Sequence, residues 1–84
     1  MSPFWPDGHL IEACSEGGRP LRFRWGSGLH HIQDISSHWR IHTGWWSEEE
    51  VWRDYWEVTT DTNLLCVLYH DLLKGAWYLE RIYE

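Results

Sequence analysis

The strongest structural signal in this sequence is an alternation of apolar and polar residues with a period of two, the pattern of a β-strand with one buried face. In residues 21–25 (Leu-Arg-Phe-Arg-Trp) the apolar side chains fall on one face and both arginines on the other. Glycine-containing turn signals bound this segment on both sides. The same reasoning predicts further strands over residues 29–35, 38–42, 51–60, 64–70 and 76–83.

Two segments leave a helical alternative open. Residues 47–57 can begin a helix, with Ser47 as the N-cap and Glu50 as its capping-box partner. The sequence Trp-Glu-Val-Thr-Thr at 56–60 is a poor helix ending and is typical of a strand. We therefore predict a strand over 51–60, with a short helical turn at 47–50 still open. Residues 71–84 could also be helical, but Gly75 lies in the middle of this segment and favours a strand there.

The aromatic content determines how so short a chain can be stabilised. Eight Trp, four Tyr and two Phe make up 17% of the 84 residues. A small domain buries a modest fraction of its surface, and a buried Trp or Tyr contributes roughly 150–250 Å². Most aromatic side chains are therefore expected in the core, and the others on the surface as recognition residues. Five to six short strands predict an all-β fold, with a small antiparallel sheet strongly curved or closed into a partly open barrel.

The chain is long enough for one domain, which we place at residues 20–84. Residues 1–19 contain Pro and Gly punctuation and little periodicity, so they are expected to form a loose N-terminal arm. No apolar run approaches the ~20 residues of a membrane span, and the start of the chain is not that of a signal peptide. Cys14 and Cys66 are far apart and predict reduced thiols. We expect a soluble, cytoplasmic domain with no membrane association.

The histidines do not predict a metal site. His38 and His42 have the spacing that binds zinc from one helix face, but in a strand they would lie about 13 Å apart. No pair of cysteines at zinc-finger spacing precedes them. We expect no metal and no cofactor.

Catalytic combinations are also weak in this chain. Cys66 lies in an apolar run and is predicted to be a core residue, and Cys14 lies in a glycine-rich stretch. The acidic run at 48–50 is typical of a solvated surface, and no glycine-rich phosphate loop is present. The sequence therefore predicts that the protein is not an enzyme.

The distribution of charge leaves two kinds of binding surface open. Residues 1–42 contain four basic and four acidic residues, whereas residues 43–84 contain three basic and nine acidic ones, which gives the net charge of −6. Arg22 and Arg24 share one face of a strand, and exposed Trp residues could stack on bases, as in single-strand binders. Phosphate binders usually carry a surplus of Lys and Arg, which this chain lacks.

The adjacent pair Trp45 and Trp46 favours a protein partner. Neighbouring residues of one extended segment cannot both point inward, so at least one Trp is expected to be exposed, and exposed Trp is a common anchor of interfaces. The structural alternative is that one of them covers the open end of the barrel. Open edge strands could also accept a strand from a partner or from a second copy, which would give a homodimer.

Four stretches resemble a bacterial domain of unknown function: residues 22–25, residues 39–46 with Trp-Arg-Ile and Gly-Trp-Trp, residues 53–58, and the ending at 75–83. The resemblance implies a short β-domain of the kind found alone or at the C-terminus of catalytically degenerate Y-family DNA polymerase homologues of the mutasome. The resemblance covers about residues 20–84. It implies an association with translesion DNA repair and a polymerase homologue as partner, and it implies no particular activity.

The sequence predicts a non-enzymatic interaction module, and the resemblance implies that this module is an accessory to DNA-repair polymerase proteins. The alternative is direct binding of single-stranded nucleic acid through an arginine strip and stacked aromatics. The predicted binding residues are Arg22, Arg24, Arg40, Trp45 and Trp46.

Overall fold

A computed structural model describes residues 4–83, which form six β-strands joined by turns, with no helix within that range. The strands are β1 (Phe4–Glu16), β2 (Arg19–Trp25), β3 (Gly28–Thr43), β4 (Val51–Thr60), β5 (Leu65–Asp71) and β6 (Ala76–Tyr83). Each strand pairs antiparallel with the next, and β1 pairs with β6. The single sheet therefore closes in a ring that is not a regular barrel. The prediction of a curved or closed all-β sheet is confirmed.

The segment predicted as a loose arm is instead a strand. Phe4–Glu16 pairs with β2 on one side and with β6 on the other, so it closes the ring. Its side chains Trp5 and Ile11 pack against the core. The register with β6 shifts between Phe4 and His9, and this irregularity breaks the alternation by which a strand is recognised. The described part of the arm therefore belongs to the same sheet as the remainder of the domain, and residues 1–3 lie outside the described residues.

The two segments predicted at 29–35 and 38–42 form one long strand, β3. The register with β4 shifts between Ile32 and Asp34 and again between Ile35 and Ser37. Each bulge inserts an extra residue, so the side chains that follow it point to the opposite face of the sheet. The alternation of apolar and polar residues is therefore interrupted, although the strand itself continues. The strand over 51–60 is confirmed, and residues 45–49 form turns rather than a helical turn.

The core lies on the inner face of the ring. Its buried residues come from five of the strands: Ile11, Phe23, Trp56, Val58, Cys66, Leu68, Trp77, Leu79 and Ile82. Cys66 is fully buried, as predicted, and this burial raises the pKa of its thiol to about 12. Fewer aromatic residues are buried than expected, because the closed interior holds only a few rings and the end of the β3–β4 hairpin extends beyond it. Only Trp56 and Trp77 of the eight Trp are buried.

A second cluster lies on the outer face of the sheet. The rings of Trp39, Tyr55, Tyr69 and Tyr78 follow one row across β3, β4, β5 and β6, with centroids 5.1–5.4 Å apart. The Tyr69 hydroxyl donates a 2.9 Å hydrogen bond to the backbone oxygen of Asp7 in β1. Burial raises the pKa of Tyr69 to about 12. The irregular start of β1 is thus held against this row.

Candidate functional site

Arg22 and Arg24 are exposed on the outer face of β2, as the alternation predicts, with Phe23 between them buried in the core. Arg24 Nε lies 4.0 Å from a carboxylate oxygen of Glu12 on β1. The surface depression between these residues, about 170 Å³, is lined by Glu12 as well as by both arginines. The two arginines form a small patch that also contains a carboxylate.

Arg40 does not join this patch. It points from the inner face of β3 towards Asp54 on β4, its direct cross-strand partner. Arg40 Nε and Nη2 donate hydrogen bonds of 2.5 and 2.9 Å to the two oxygens of Asp54. This bidentate contact raises the pKa of Arg40 and lowers the pKa of Asp54. The charge of Arg40 is therefore already matched within the chain.

Trp45 and Trp46 lie in the tip loop, residues 44–50, which joins β3 to β4. Both side chains are exposed, at 65% and 73% of their full accessible surface. Their rings form an edge-to-face pair with centroids 4.7 Å apart. The prediction that at least one of them is exposed is confirmed, and neither is buried beneath another segment of the described chain.

The tip loop is held in shape by its own backbone. Gly44 has φ +69°, and a Cβ there would lie 2.8 Å from the backbone oxygen of Glu49. The Ser47 amide donates to the Gly44 oxygen at 2.9 Å, and the Glu49 amide donates to Ser47 Oγ at 3.1 Å. His42 Nε2 is 2.7 Å from a carboxylate oxygen of Glu50. These contacts hold the two Trp side chains on an ordered turn.

The tip loop is acidic. Glu48 and Glu49 are exposed beside the Trp pair, and Glu50 is half-buried against His42. Residues 44–50 contain no Lys or Arg. The loop therefore presents a large apolar surface bordered by negative charge.

The predicted binding residues are consequently divided among separate surfaces. Leu29 pairs with Arg24 near the start of β3, whereas Thr43 is the last residue of that strand before the tip loop. The fourteen residue-to-residue steps from Leu29 to Thr43 correspond to a path of about 45 Å along the strand. The arginine patch and the Trp pair thus lie towards opposite ends of β3.

No family model, curated protein or solved structure matches this chain. The resemblance to the mutasome-associated domain therefore stays a prediction. Residues 4–83 include no helix able to span a membrane. Within the same residues, no three His, Cys, Asp or Glu side chains are grouped so as to hold a metal ion.

The sequence analysis missed a row of polar and aromatic contacts on the inner face. The ring of His38 stacks on Trp56 with centroids 3.7 Å apart, and His42 stacks on Trp52 at 4.7 Å. Asp54, only 6% exposed, lies between these two pairs. The sequence alone did not show these contacts, because they depend on the register of the hairpin centred on residue 47, which brings 38, 40 and 42 opposite 56, 54 and 52.

The ion pair between Arg40 and Asp54 is expected to make the stability of the protein depend on pH in the acid range. The pKa of Asp54 is lowered in the folded state, first by the hydrogen bonds from Arg40 and further by the nearby His38 and His70. Its stabilising contribution is therefore complete above the unfolded pKa of about 3.9 and is lost as pH falls through the lower folded value. We expect Asp54→Asn to lower the free energy of unfolding at pH 7, with a smaller difference from wild type below about pH 4.

Urea unfolding across this pH range measures the effect. Asp61→Asn is the control, because the pKa of Asp61 is also lowered, first by the backbone amide of His31, at a site away from Arg40. Arg40→Gln should give the same dependence of unfolding free energy on pH as Asp54→Asn. Asp61→Asn should keep the decrease in unfolding free energy at low pH that Asp54 causes. A difference between Asp54→Asn and wild type that does not change with pH would contradict the assignment.

Proposed function

We propose that this protein is an interaction module that binds a partner protein through the tip loop. The observation that carries the proposal is the exposure of two adjacent Trp side chains on an ordered turn. Trp residues anchor interfaces because each buries a large area on binding at a small cost in side-chain entropy. Since hydrogen bonds within the loop already hold its backbone in a turn, less conformational entropy is lost when a partner covers it.

The charge of the tip loop indicates which partner chemistry fits. Glu48 and Glu49 border the Trp pair and have no basic neighbour within the loop. Lys and Arg side chains interact favourably with both carboxylates and the faces of indole rings. We therefore propose that the partner presents a segment in which basic residues flank an apolar or aromatic one. The family resemblance adds a specific candidate to test, a degenerate Y-family polymerase homologue.

Single-stranded nucleic acid is the alternative ligand. It is supported by the exposure of Arg22 and Arg24 on one face. It is weakened by three observations: Arg40 is paired with Asp54, Glu12 lines the arginine patch, and the exposed Trp pair lies beside glutamates that would repel phosphates. The geometry therefore favours a protein partner.

A peptide selection tests the proposal. We expect random twelve-residue peptides selected on the wild-type protein to be enriched in Lys or Arg next to apolar residues. Their affinity should fall at least about 30-fold in Trp45→Ala/Trp46→Ala, because a central Trp typically contributes about 2 kcal/mol or more. Reversal of the two neighbouring charges in Glu48→Lys/Glu49→Lys should weaken the binding of the same peptides and make their affinity less sensitive to salt.

The control variant is Leu10→Ala, which removes an exposed apolar side chain from β1 (64% exposed) and should leave the peptide affinity unchanged. Equal binding by wild type and the double Trp variant would overturn the proposal. A parallel titration of labelled single-stranded DNA at about 50 and 200 mM salt tests the alternative. Binding that weakens steeply with salt and disappears in Arg22→Ala/Arg24→Ala would establish nucleic-acid binding in place of the proposed function.

A further inference from the structure

Within residues 4–83, the second half of β3 has a strand neighbour on one side only. Residues 28–31 pair with β2, whereas residues 32–43 pair with β4 alone. Every residue from Ser36 to Thr43 is exposed, although residues of a strand normally alternate between a buried and an exposed face. No residue of β4, which lies between β3 and β5, is exposed. The edge of β3 that faces away from β4 at residues 36–43, called the free edge below, thus has no strand partner among the described residues.

A gap separates this edge from β2. A cleft of about 380 Å³ lies between residues 19–21 at the start of β2 and residues 32–35 of β3. The two bulges of β3 lie in the same place, and bulges bend a strand. They direct β3 away from β2, so that residues 36–43 extend beyond the part of β3 that closes the ring with β2.

The free edge can accept another strand. From Ser37 to Thr43 the register with β4 is continuous, so alternate residues direct their backbone N–H and C=O groups away from β4. Sheet edges are usually protected by Pro, Lys, bulges or covering segments. Residues 36–43 contain no Pro, Lys, Asp or Glu, and both bulges come before Ser37.

The chemistry of the free edge is nearly symmetric about Arg40. Its two neighbours are the large apolar residues Trp39 and Ile41, which are 39% and 37% exposed. The next residue on each side is a histidine, and the one after that carries a hydroxyl, in the order Ser-His-Trp-Arg-Ile-His-Thr. A strand with this pattern is complementary to itself when two copies run antiparallel.

We propose that a second copy of this chain covers the free edge, with the two β3 strands antiparallel and a twofold axis passing at Arg40. On the outer face this register places Trp39 against Ile41 of the second copy, an aromatic and β-branched pair of the kind that stabilises sheets. Ser37 lies opposite Thr43 of the second copy, and hydroxyl pairs are also favourable. The two Arg40 residues meet at the axis, where each is neutralised by its own Asp54.

This interface is formed by residues 37–43 and not by the exposed Trp pair of the tip loop, so its test separates the two proposals. We expect sedimentation velocity over about a hundredfold range of concentration to show the mass rising from 10.2 kDa towards twice that value. Ile41→Lys should stay monomeric, because it places two lysines in the new interface. Leu65→Lys is the matched control: Leu65 is 38% exposed on β5, which is paired on both sides, and this variant should dimerise like wild type. Trp45→Ala/Trp46→Ala should also dimerise like wild type.

A cross-linking experiment tests the register. In a Cys14→Ser background, Ser37→Cys/Thr43→Cys should form a disulfide-linked dimer on mild oxidation. The cysteine at position 37 of one copy would lie opposite the cysteine at position 43 of the second copy. Ser37→Cys alone should form none. A wild-type chain that stays at 10.2 kDa at every concentration would overturn the proposal and leave the edge to a different partner. Equal dimerisation by Ile41→Lys and wild type, or cross-linking by Ser37→Cys alone, would also overturn it.

Discussion

Deletion of residues 1–16 is expected to abolish cooperative folding of this protein. Strand β1 pairs with β2 on one side and with β6 on the other, so its removal opens the ring and leaves two new edges. It also removes Trp5 and Ile11 from the core and the backbone oxygen that accepts the Tyr69 hydrogen bond. Truncating one buried Ile already costs about 2–5 kcal/mol, and a small domain is stable by only about 5–15 kcal/mol in total.

Far-ultraviolet circular dichroism and urea unfolding measure this loss. The truncated chain should show no sigmoidal transition, and a synthetic peptide of residues 1–16 added in excess should restore part of the β signal. Ile11→Ala and Leu10→Ala are matched controls on β1, since Ile11 is 8% exposed and Leu10 is 64% exposed. Ile11→Ala should cost about 2–4 kcal/mol and Leu10→Ala less than about 0.5 kcal/mol. A truncated chain that unfolds at the wild-type urea midpoint would show that β1 is dispensable.

Gly8→Ala is expected to have the largest effect of any single methyl addition considered. A Cβ at Gly8 would lie 2.3 Å from the Tyr69 hydroxyl oxygen and 2.7 Å from the Cβ of Tyr78. Gly8 also has φ +77°, a conformation that costs other residues about 1–2 kcal/mol. Overpacking adds about 1–3 kcal/mol. We therefore expect a total loss of about 2–5 kcal/mol in the free energy of unfolding.

Gly75→Ala separates the two causes. Gly75 has a similar φ of +73°, and nothing lies within 4 Å of the position of an added Cβ. This variant should lose only the conformational part, about 1–2 kcal/mol, in the same urea experiment. Equal losses at the two glycines would mean that Gly8 is not packed against Tyr69.

Four strands were predicted well from the sequence. The predicted bounds of β2, β4, β5 and β6 agree with the structure to within two residues, although the register of β2 against β1 and that of β6 against β5 each shift once. Strands β1 and β3 were not predicted well. Residues 4–16 have a shifted register against β6, and β3 contains two shifts against β4, so one was predicted as an arm and the other as two strands. A bulge moves the side chains after it to the opposite face of the sheet. The alternation of apolar and polar residues then breaks at that point, and the strand is not recognised as continuous from its sequence.

The candidate site was predicted in part, for a similar reason. The exposure of at least one of Trp45 and Trp46 was predicted from the geometry of adjacent residues in an extended segment. In the structure both lie in the turns of the tip loop and both are exposed. The pairing of Arg40 with Asp54 depends on the hairpin register across fourteen residues, and it removes Arg40 from the proposed arginine strip. Neutralisation of a surface arginine therefore could not be predicted from its own neighbours in the sequence.

The sequence by itself determined the all-β class, the positions of most strands and turns, and the exposure of Trp at the tip loop. These properties follow from local alternation and turn chemistry, which act over a few residues. Only the tertiary structure decided that β1 closes the ring, that Arg40 faces Asp54, and that β3 has a free edge at residues 36–43. These features depend on which distant strands pair and in what register. That choice is made by burial of the whole inner face at once, because no single strand carries enough information to specify its partner.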